Sequence, residues 1–335
     1  MGADGASPSI SLQNTPLRPL LFLAPMAGVT NTVFRRLCKE LGADVLTTEF
    51  VSAEGILHRN ERTRRYLEFH PDERPLGVQL FGADPERLAE AARAVIDWVA
   101  PDFIDLNFGC PVNKVVCKNG GSSLLRDGPL LGRVARAVVA AAGPVPVSAK
   151  IRTGWDARSI NAVENARLLE GEGIRRIAVH GRSKDQGYSG EADWEVIGSV
   201  ADAVRIPVVG NGDISSAEIA LRRLRGTKVS GLMIGRAAMS HPWIFSEIRR
   251  AIEGKPAQPP LPPDRRWEFI LGHCRKEIEW WEGKELLALK AMRARLMAYT
   301  RGMPGGPRLR EKLQRVESFD EVRRIAEASQ SAGAG

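Results

Sequence analysis

The sequence predicts an α/β chain: a (β/α)8 TIM barrel followed by a small all-helical bundle domain. Three observations carry this. Eight short apolar runs rich in β-branched residues recur between residues 20 and 234. Helix-like stretches lie between them. Beyond a proline-rich connector the pattern is helical only. Continuous apolar strands alternating with helices make a parallel sheet covered on its outer face, and eight such units in about 235 residues match this barrel in count and length. A doubly wound open sheet is the competing arrangement. Gly210-Asn-Gly212 lacks the third glycine of a dinucleotide fingerprint and falls late in the chain, which weighs against it.

Residues 1–15 are rich in Gly, Ala, Ser and Pro, without a basic head or an apolar segment, and read as a flexible tail, not a signal peptide. The barrel is expected over 16–253. Its strands are Leu20–Leu23, Val45–Thr48, Leu76–Leu80, Phe103–Leu106, Val145–Ile151, Ile177–Val179, Pro207–Val209 and Gly231–Ile234. Helices are expected over Thr32–Leu41, Pro85–Val99, Leu130–Ala142, Ser159–Gly171 and Ser216–Leu224. Thr30-Asn31, Asp84-Pro85 and Ser215-Ser216 are helix starts, with Pro85 at the first helical position. Five prolines within 254–264 make a stiff extended linker, and 265–330 form the helical domain.

Composition bounds the function. The 335 residues are 43% hydrophobic and 26% charged, as in a soluble globular protein. The four cysteines, Cys38, Cys110, Cys117 and Cys274, show no Cys-x-x-Cys pairing, which argues against a disulfide framework or a zinc site and for a cytoplasmic location. No uncharged apolar run reaches 18 residues, so no membrane span is expected. The net charge is +8, and residues 290–315 hold eight basic residues and one acid, a net +7. On a helix from Glu285 to Tyr299, Leu289, Met292, Leu296 and Tyr299 share one side, with Lys290, Arg293 and Arg301 on or near the other. A one-signed face beside Met303-Pro-Gly-Gly-Pro307 suits phosphate contact.

In this barrel, chemistry lies at the C-terminal strand ends. There the chain places Ala24-Pro-Met-Ala-Gly-Val-Thr30, Glu49, Gln79, Asn107 with Cys110, Lys150 with Arg152, His180-Gly-Arg182, Gly210-Asn-Gly-Asp213 and Ile234-Gly-Arg236. Taken one at a time each has a structural reading, for instance a satisfied core histidine at His180. A purely structural barrel, however, does not need a polar or glycine feature at every mouth. The glycine turns after the last two strands suit a phosphate, with Arg236 adding a charge-assisted contact. That phosphate together with Lys150 on the opposite wall suits flavin mononucleotide (FMN), whose anionic reduced ring Lys150 would stabilise. Cys110, just past a strand end beside Asn107 and Lys114, is a candidate proton-transfer thiol.

These residues resemble the tRNA-dihydrouridine synthases, with the bacterial B-type branch nearest. The resemblance rests on Ala24-Pro-Met-Ala-Gly28, Leu106-Asn-Phe-Gly-Cys-Pro111, Lys150-Ile-Arg-Thr-Gly154, His180-Gly-Arg182, Asn211-Gly-Asp213 and Met233-Ile-Gly-Arg-Ala237, and runs from about residue 16 to about 325. It implies a non-covalent FMN, with Pro25, Met26 and Ala27 lining it, Gln79 and Lys150 at its ring edge, His180 beside it, and Asn211, Gly212, Asp213, Gly235 and Arg236 at its phosphate end. It implies NADPH as reductant, tRNA as partner and no metal. It further implies reduction of D-loop uridines to 5,6-dihydrouridine, with hydride to C6 and a proton from Cys110 to C5. Expected substrate contacts are Asn107, Arg152, Lys114 and Arg182 in the barrel, and Lys290, Arg293 and Arg295 beyond it. The chain departs from the B-type pattern at Ala294-Arg295, where a Lys-His pair is expected, and at Ala298-Tyr299, where an aromatic pair is expected. Two other readings stay open. An FMN barrel acting on a free pyrimidine, similar to dihydroorotate dehydrogenase, has no need of a basic helical domain. A tRNA-binding or chaperone protein with a silent barrel would be colourless and would not be reconstituted with FMN.

Overall fold

A computed structural model of the chain describes residues 18–58, 61–110 and 120–331. The strands are β1 (Leu20–Leu23), β2 (Leu46–Thr47), β3 (Val51–Ser52), β4 (Leu76–Phe81), β5 (Phe103–Phe108), β6 (Val147–Arg152), β7 (Arg176–His180), β8 (Val208–Asn211) and β9 (Gly231–Ile234). All pairings are parallel, in the order β1-β9-β8-β7-β6-β5-β4-β2, with β3 also on β4. A bridge between Phe22 and Val45 joins the two ends of this order and closes the barrel. The described residues thus make eight staves, and the second is broken into β2 and β3. At the break the Thr48 hydroxyl, not a carbonyl, accepts the Gln79 N–H (3.1 Å), so the ladder is bridged by a side chain.

Alternation along each strand sorts the side chains. Leu21 and Leu23 of β1 face the helices, while Phe22 joins Val45, Phe103, Ala178, Val209 and Met233 inside the barrel. Arg176 is buried there, with its guanidinium over Phe22 and Phe103 at 4.8 and 4.5 Å. Burial draws its pKa down to about 10, against the pull of Asp105.

The expected helix starts are present. Asn31 accepts from Phe34 N–H, Asp84 from the Glu86 and Arg87 N–H groups, and Ser216 from Ile219 N–H. Pro85 opens helix Pro85–Val99. The proline-rich linker ends two residues earlier than expected, because Pro263 takes the first position of helix Pro263–Trp280. Helices Glu285–Tyr299, Gly306–Leu313 and Phe319–Ser331 follow. Leu289, Met292, Leu296 and Tyr299 are fully buried, as the helical spacing requires.

This helical segment shares a core with the barrel. Trp267, Cys274 and Tyr299 belong to the same buried cluster as Phe34 and Cys38 of helix Thr32–Glu40. Phe34 stacks on His273 with ring centroids 5.9 Å apart. Polar groups lock the joint: Asn31 Nδ2 donates to Glu277 Oε1 (2.6 Å), Arg295 Nη1 donates to His273 Nε2 (3.2 Å), and His273 Nδ1 lies 3.0 Å from the Tyr299 hydroxyl. Burial and the nearby Arg295 keep His273 neutral. Its Nε2 accordingly accepts from the guanidinium and its Nδ1–H donates to Tyr299.

Candidate active site at the barrel mouth

A cavity of ≈ 770 Å³ opens at the C-terminal strand ends. Every residue expected at the flavin, from Pro25 to Arg236, lines it, as do Cys110, Asn107 and Arg152. Its floor is a chain of hydrogen bonds rooted inside the barrel. Inward positions of β5 recur every second residue, which puts Asp105 and Asn107 on one face; their register partners on β4 and β6 are Gln79, Ser148 and Lys150. Ser148 Oγ donates to Asp105 Oδ1 (2.5 Å), Gln79 Nε2 donates to Asp105 Oδ2 (2.6 Å), and Asn107 Nδ2 donates to Gln79 Oε1 (2.9 Å). Asn107 Oδ1 then accepts the N–H groups of Gly109 (3.1 Å) and Cys110 (2.9 Å). Asn107 is therefore the post on which the Cys110 turn is built. From the other side, Ser122 donates twice to the Cys110 carbonyl. The thiol-bearing residue is 8% exposed, at the cavity wall.

Lys150 is the electrostatic centre. Among the described residues its ammonium makes no hydrogen bond and no ion pair. Burial, then the nearby Arg152, draw its pKa down to about 8, against the pull of Asp105 and Cys110. A desolvated cation without a hydrogen-bonded partner marks a place where an anionic ligand fits. His180 is driven down to about 2 by burial and by Lys150, Arg152, Arg182 and Arg236. It is a neutral imidazole, able to donate or accept one hydrogen bond without changing charge.

Three of the expected residues are engaged by neighbouring protein groups. Arg182 does not line the cavity. It is buried, its guanidinium forks onto Asp213 (2.8 and 2.9 Å), and it donates to the carbonyls of Ser189 and Gly190. Asp213 lines the cavity, but its carboxylate is committed to neighbouring donors. Burial would raise its pKa, but Arg182, the Ala192 N–H and Arg236 hold it below the usual range, so it stays an anion that fixes two guanidinium groups. Arg236 is thereby oriented at the rim, over Tyr188. Arg295 is only 2% exposed and is engaged in the barrel-to-helix joint, where it donates to His273. Arg152 lines the cavity, yet it donates to the carbonyls of Gly109, Ser183 and Gly187, so it ties the β5 turn to the β7 loop.

Asn211 donates to the Met233 carbonyl (2.7 Å) and so ties β8 to β9 below the glycine turns. Gly212 has φ +136°, and a Cβ there would lie 2.4 Å from the Ala192 methyl; only glycine keeps this turn open to a ligand. Of the basic face, Lys290, Arg308, Lys312 and Arg315 are exposed, while Arg293 is half-buried and donates to the Val316 carbonyl. Lys114 lies outside the described residues, as do Cys117 and residues 1–17.

Sequence reasoning passed over Tyr188, Phe50 and Met239, which line the cavity, and counted Arg301 only as surface charge. Tyr188 sits in the long loop after β7 and is 60% exposed beside His180. An aromatic residue in a polar, glycine-rich loop was the available signal. Arg301 brings a cation from the helical segment to the cavity.

With the geometry in hand, three comparisons bear on it. The model of the family described as dihydrouridine synthase matches residues 22–332. A protein named tRNA-dihydrouridine synthase B from Pseudomonas aeruginosa is 39% identical over 319 residues, covering 94% of this chain and 95% of that one. A probable tRNA-dihydrouridine synthase from Aquifex aeolicus is 36% identical over 315 residues, covering 92% and 96%. Among solved structures, the old yellow enzyme from Trypanosoma cruzi aligns with a TM-score of 0.50 at 12% identity, over 73% of this chain and 90% of that one. Histamine dehydrogenase from Rhizobium sp. 4-9 aligns at 0.51 and 15%, over 76% and 48%. At these identities the likeness is one of fold.

Proposed function

The chain belongs to the dihydrouridine synthase family, and from that premise we propose that it reduces uridines in the D-loop of tRNA to 5,6-dihydrouridine, with FMN as resident cofactor and NADPH as reductant. One observation carries the reading: the desolvated Lys150 ammonium and the Asn107-anchored Cys110 share the wall of one cavity.

The residues fit a flavin. Lys150 supplies the missing counter-charge to an anionic ring edge. Gly212 and Gly235 leave backbone exposed to the cavity, and Arg236 offers a cation at its rim. When bound, the flavin supplies the hydride that C6 of the uracil receives. The chain's own residues do the rest. Cys110 gives its thiol proton to C5, which requires a protonated thiol held close to the base. Asn107 holds that residue through its backbone, and Arg152 holds the turn behind it. His180, being neutral, hydrogen-bonds without adding to the positive charge beside Lys150. The base must leave its stack to enter such a cavity, and Tyr188 at the lip offers it an aromatic face.

A pH dependence follows. Lys150 in the flavin-free protein is charged below about 8 and neutral above. FMN affinity is therefore expected to fall several-fold from about pH 7 to about pH 9, read by quenching of FMN fluorescence. Lys150→Met should bind weakly and without this slope; an affinity that rises with pH contradicts the assignment.

RNA contact is assigned to the exposed basic residues. Truncation at the linker would uncover Phe34 and Cys38, so charge reversal is the cleaner test. Arg308→Glu with Lys312→Glu should weaken tRNA binding about tenfold and flatten its salt dependence, with flavin content unchanged. Unchanged affinity and salt slope would place the RNA elsewhere.

The function itself is tested in cells. tRNA from a strain lacking this gene should lose dihydrouridine at one or more positions and regain it on re-expression. An unaltered dihydrouridine map overturns the reading.

A further inference from the structure

A second cavity, of ≈ 350 Å³, lies between the barrel and the helical segment. Only one loop separates it from the first: Ala27 lines the barrel-mouth cavity and Gly28 the second. Two of its wall residues are nearly fully buried carboxylates, Glu277 at 0% and Glu49 at 5% exposure. Glu277 Oε1 accepts from Asn31, and the carboxylate also faces the Trp281 side chain and the Arg295 guanidinium, whose Nη1 lies 3.6 Å from Oε2. Glu49 Oε2 accepts from Gly28 N–H (2.7 Å), and its other oxygen makes no hydrogen bond among the described residues. Trp280 and Trp281 flank these carboxylates, Tyr66 stands at 37% exposure, and the Arg65 guanidinium lies 5.3 Å from the Trp281 ring.

Glu49 keeps one oxygen at the cavity wall without a hydrogen bond among the described residues, where a joint that served packing alone would supply a donor. Here a wall of acceptors calls for a ligand with N–H donors, aromatic walls call for a planar one, and the exposed cation at the edge suits an attached phosphate. The volume falls in the range of small-ligand pockets. Guanine meets these demands. It carries an imino N–H and an amino group side by side on one edge, whereas uracil offers a single N–H between two carbonyl oxygens that carboxylates repel.

We infer that this cavity is a second nucleobase site, which takes an unstacked guanine of the same RNA chain whose uridine enters the barrel mouth. The inference rests on the reading of the substrate as RNA. Guanine binding beyond the Gly28 loop sets the register of the RNA, and with it the uridine that reaches Cys110. The carboxylates select the base, the tryptophans stack on it, and Arg65 meets its phosphate.

The probes are guanosine, inosine and uridine 5′-monophosphates on the flavin-loaded full-length protein, followed by tryptophan fluorescence, together with an unmodified tRNA transcript. Guanosine monophosphate should quench. Inosine monophosphate, which lacks the amino group, should bind about tenfold more weakly, and uridine monophosphate not measurably. Glu49→Gln should erase the guanosine preference and weaken transcript binding about tenfold at unchanged flavin absorbance. Trp280→Ala, on a half-buried wall, serves the same comparison if Glu49→Gln lowers the melting temperature. Equal binding of the three nucleotides overturns the inference. So does displacement of guanosine monophosphate by NADPH, or wild-type transcript affinity in both variants. If the base preference and its dependence on Glu49 hold while no dihydrouridine forms, the guanine site stands and the proposed reaction falls.

Discussion

Cys110→Ala is expected to lower dihydrouridine formation by about 10²–10⁴-fold, the usual worth of a positioned general acid, while flavin content and tRNA affinity stay near wild type. The separation follows from how the residue is held. Main-chain contacts anchor it to the scaffold: its N–H to Asn107 and its carbonyl to Ser122. Alanine keeps both and removes the proton donor. At about 1.4 kcal/mol per tenfold, the loss corresponds to roughly 3–6 kcal/mol of transition-state stabilisation. Asn107→Ala, by contrast, should loosen the turn and the Gln79 contact together, and lose flavin as well as rate. A Cys110→Ala enzyme within a few-fold of wild type, assayed on unmodified transcript, would remove the thiol from the mechanism.

The largest effect on stability is expected at Arg295. Arg295→Met keeps much of the side-chain volume but leaves Glu277 without its cation and His273 Nε2 without its donor. Breaking a buried pair from one side costs about 3–5 kcal/mol. The pH dependence carries the diagnosis. Burial already raises the Glu277 pKa, with Arg295 pulling it back, so the variant raises it further. A carboxyl group with a raised folded pKa takes up a proton as pH falls. The defect should therefore be severe near about pH 8 and ease toward about pH 5. Glu277→Gln added to Arg295→Met should recover part of the loss. Thermal melts of the two variants decide it: an Arg295→Met protein as stable as wild type, or one that Glu277→Gln makes no better, would contradict the joint described above.

Much of this was legible in the sequence because it is written in period and punctuation. Apolar runs located the staves, Asn31, Asp84 and Ser216 announced their helices, and the glycine turns and most strand-end polar residues converge on one cavity. The residues that went astray are charged ones whose direction no local pattern encodes. Arg295 belongs to a basic cluster in the sequence, yet it turns inward because Glu277 and His273, one helix earlier, receive it. Arg182 and Asp213 lie far apart in sequence and neutralise each other where β7 and β8 end. The break in the second stave was hidden because Thr48 looks like any β-branched strand residue until its hydroxyl is seen taking the place of a ladder carbonyl. The second cavity was invisible for a related reason: Glu49 and Glu277 become neighbours only when the helical segment folds onto the barrel.

The central claim is that the cavity shared by Lys150 and Cys110 reduces uridine in RNA. The direct test is to load the purified protein with FMN, supply NADPH and an unmodified tRNA transcript, and map the product nucleosides by mass spectrometry. Dihydrouridine at defined D-loop positions, absent when FMN or NADPH is withheld and nearly absent with Cys110→Ala, is the expected result. A transcript that stays unmodified while the protein holds FMN and oxidises NADPH would contradict the claim.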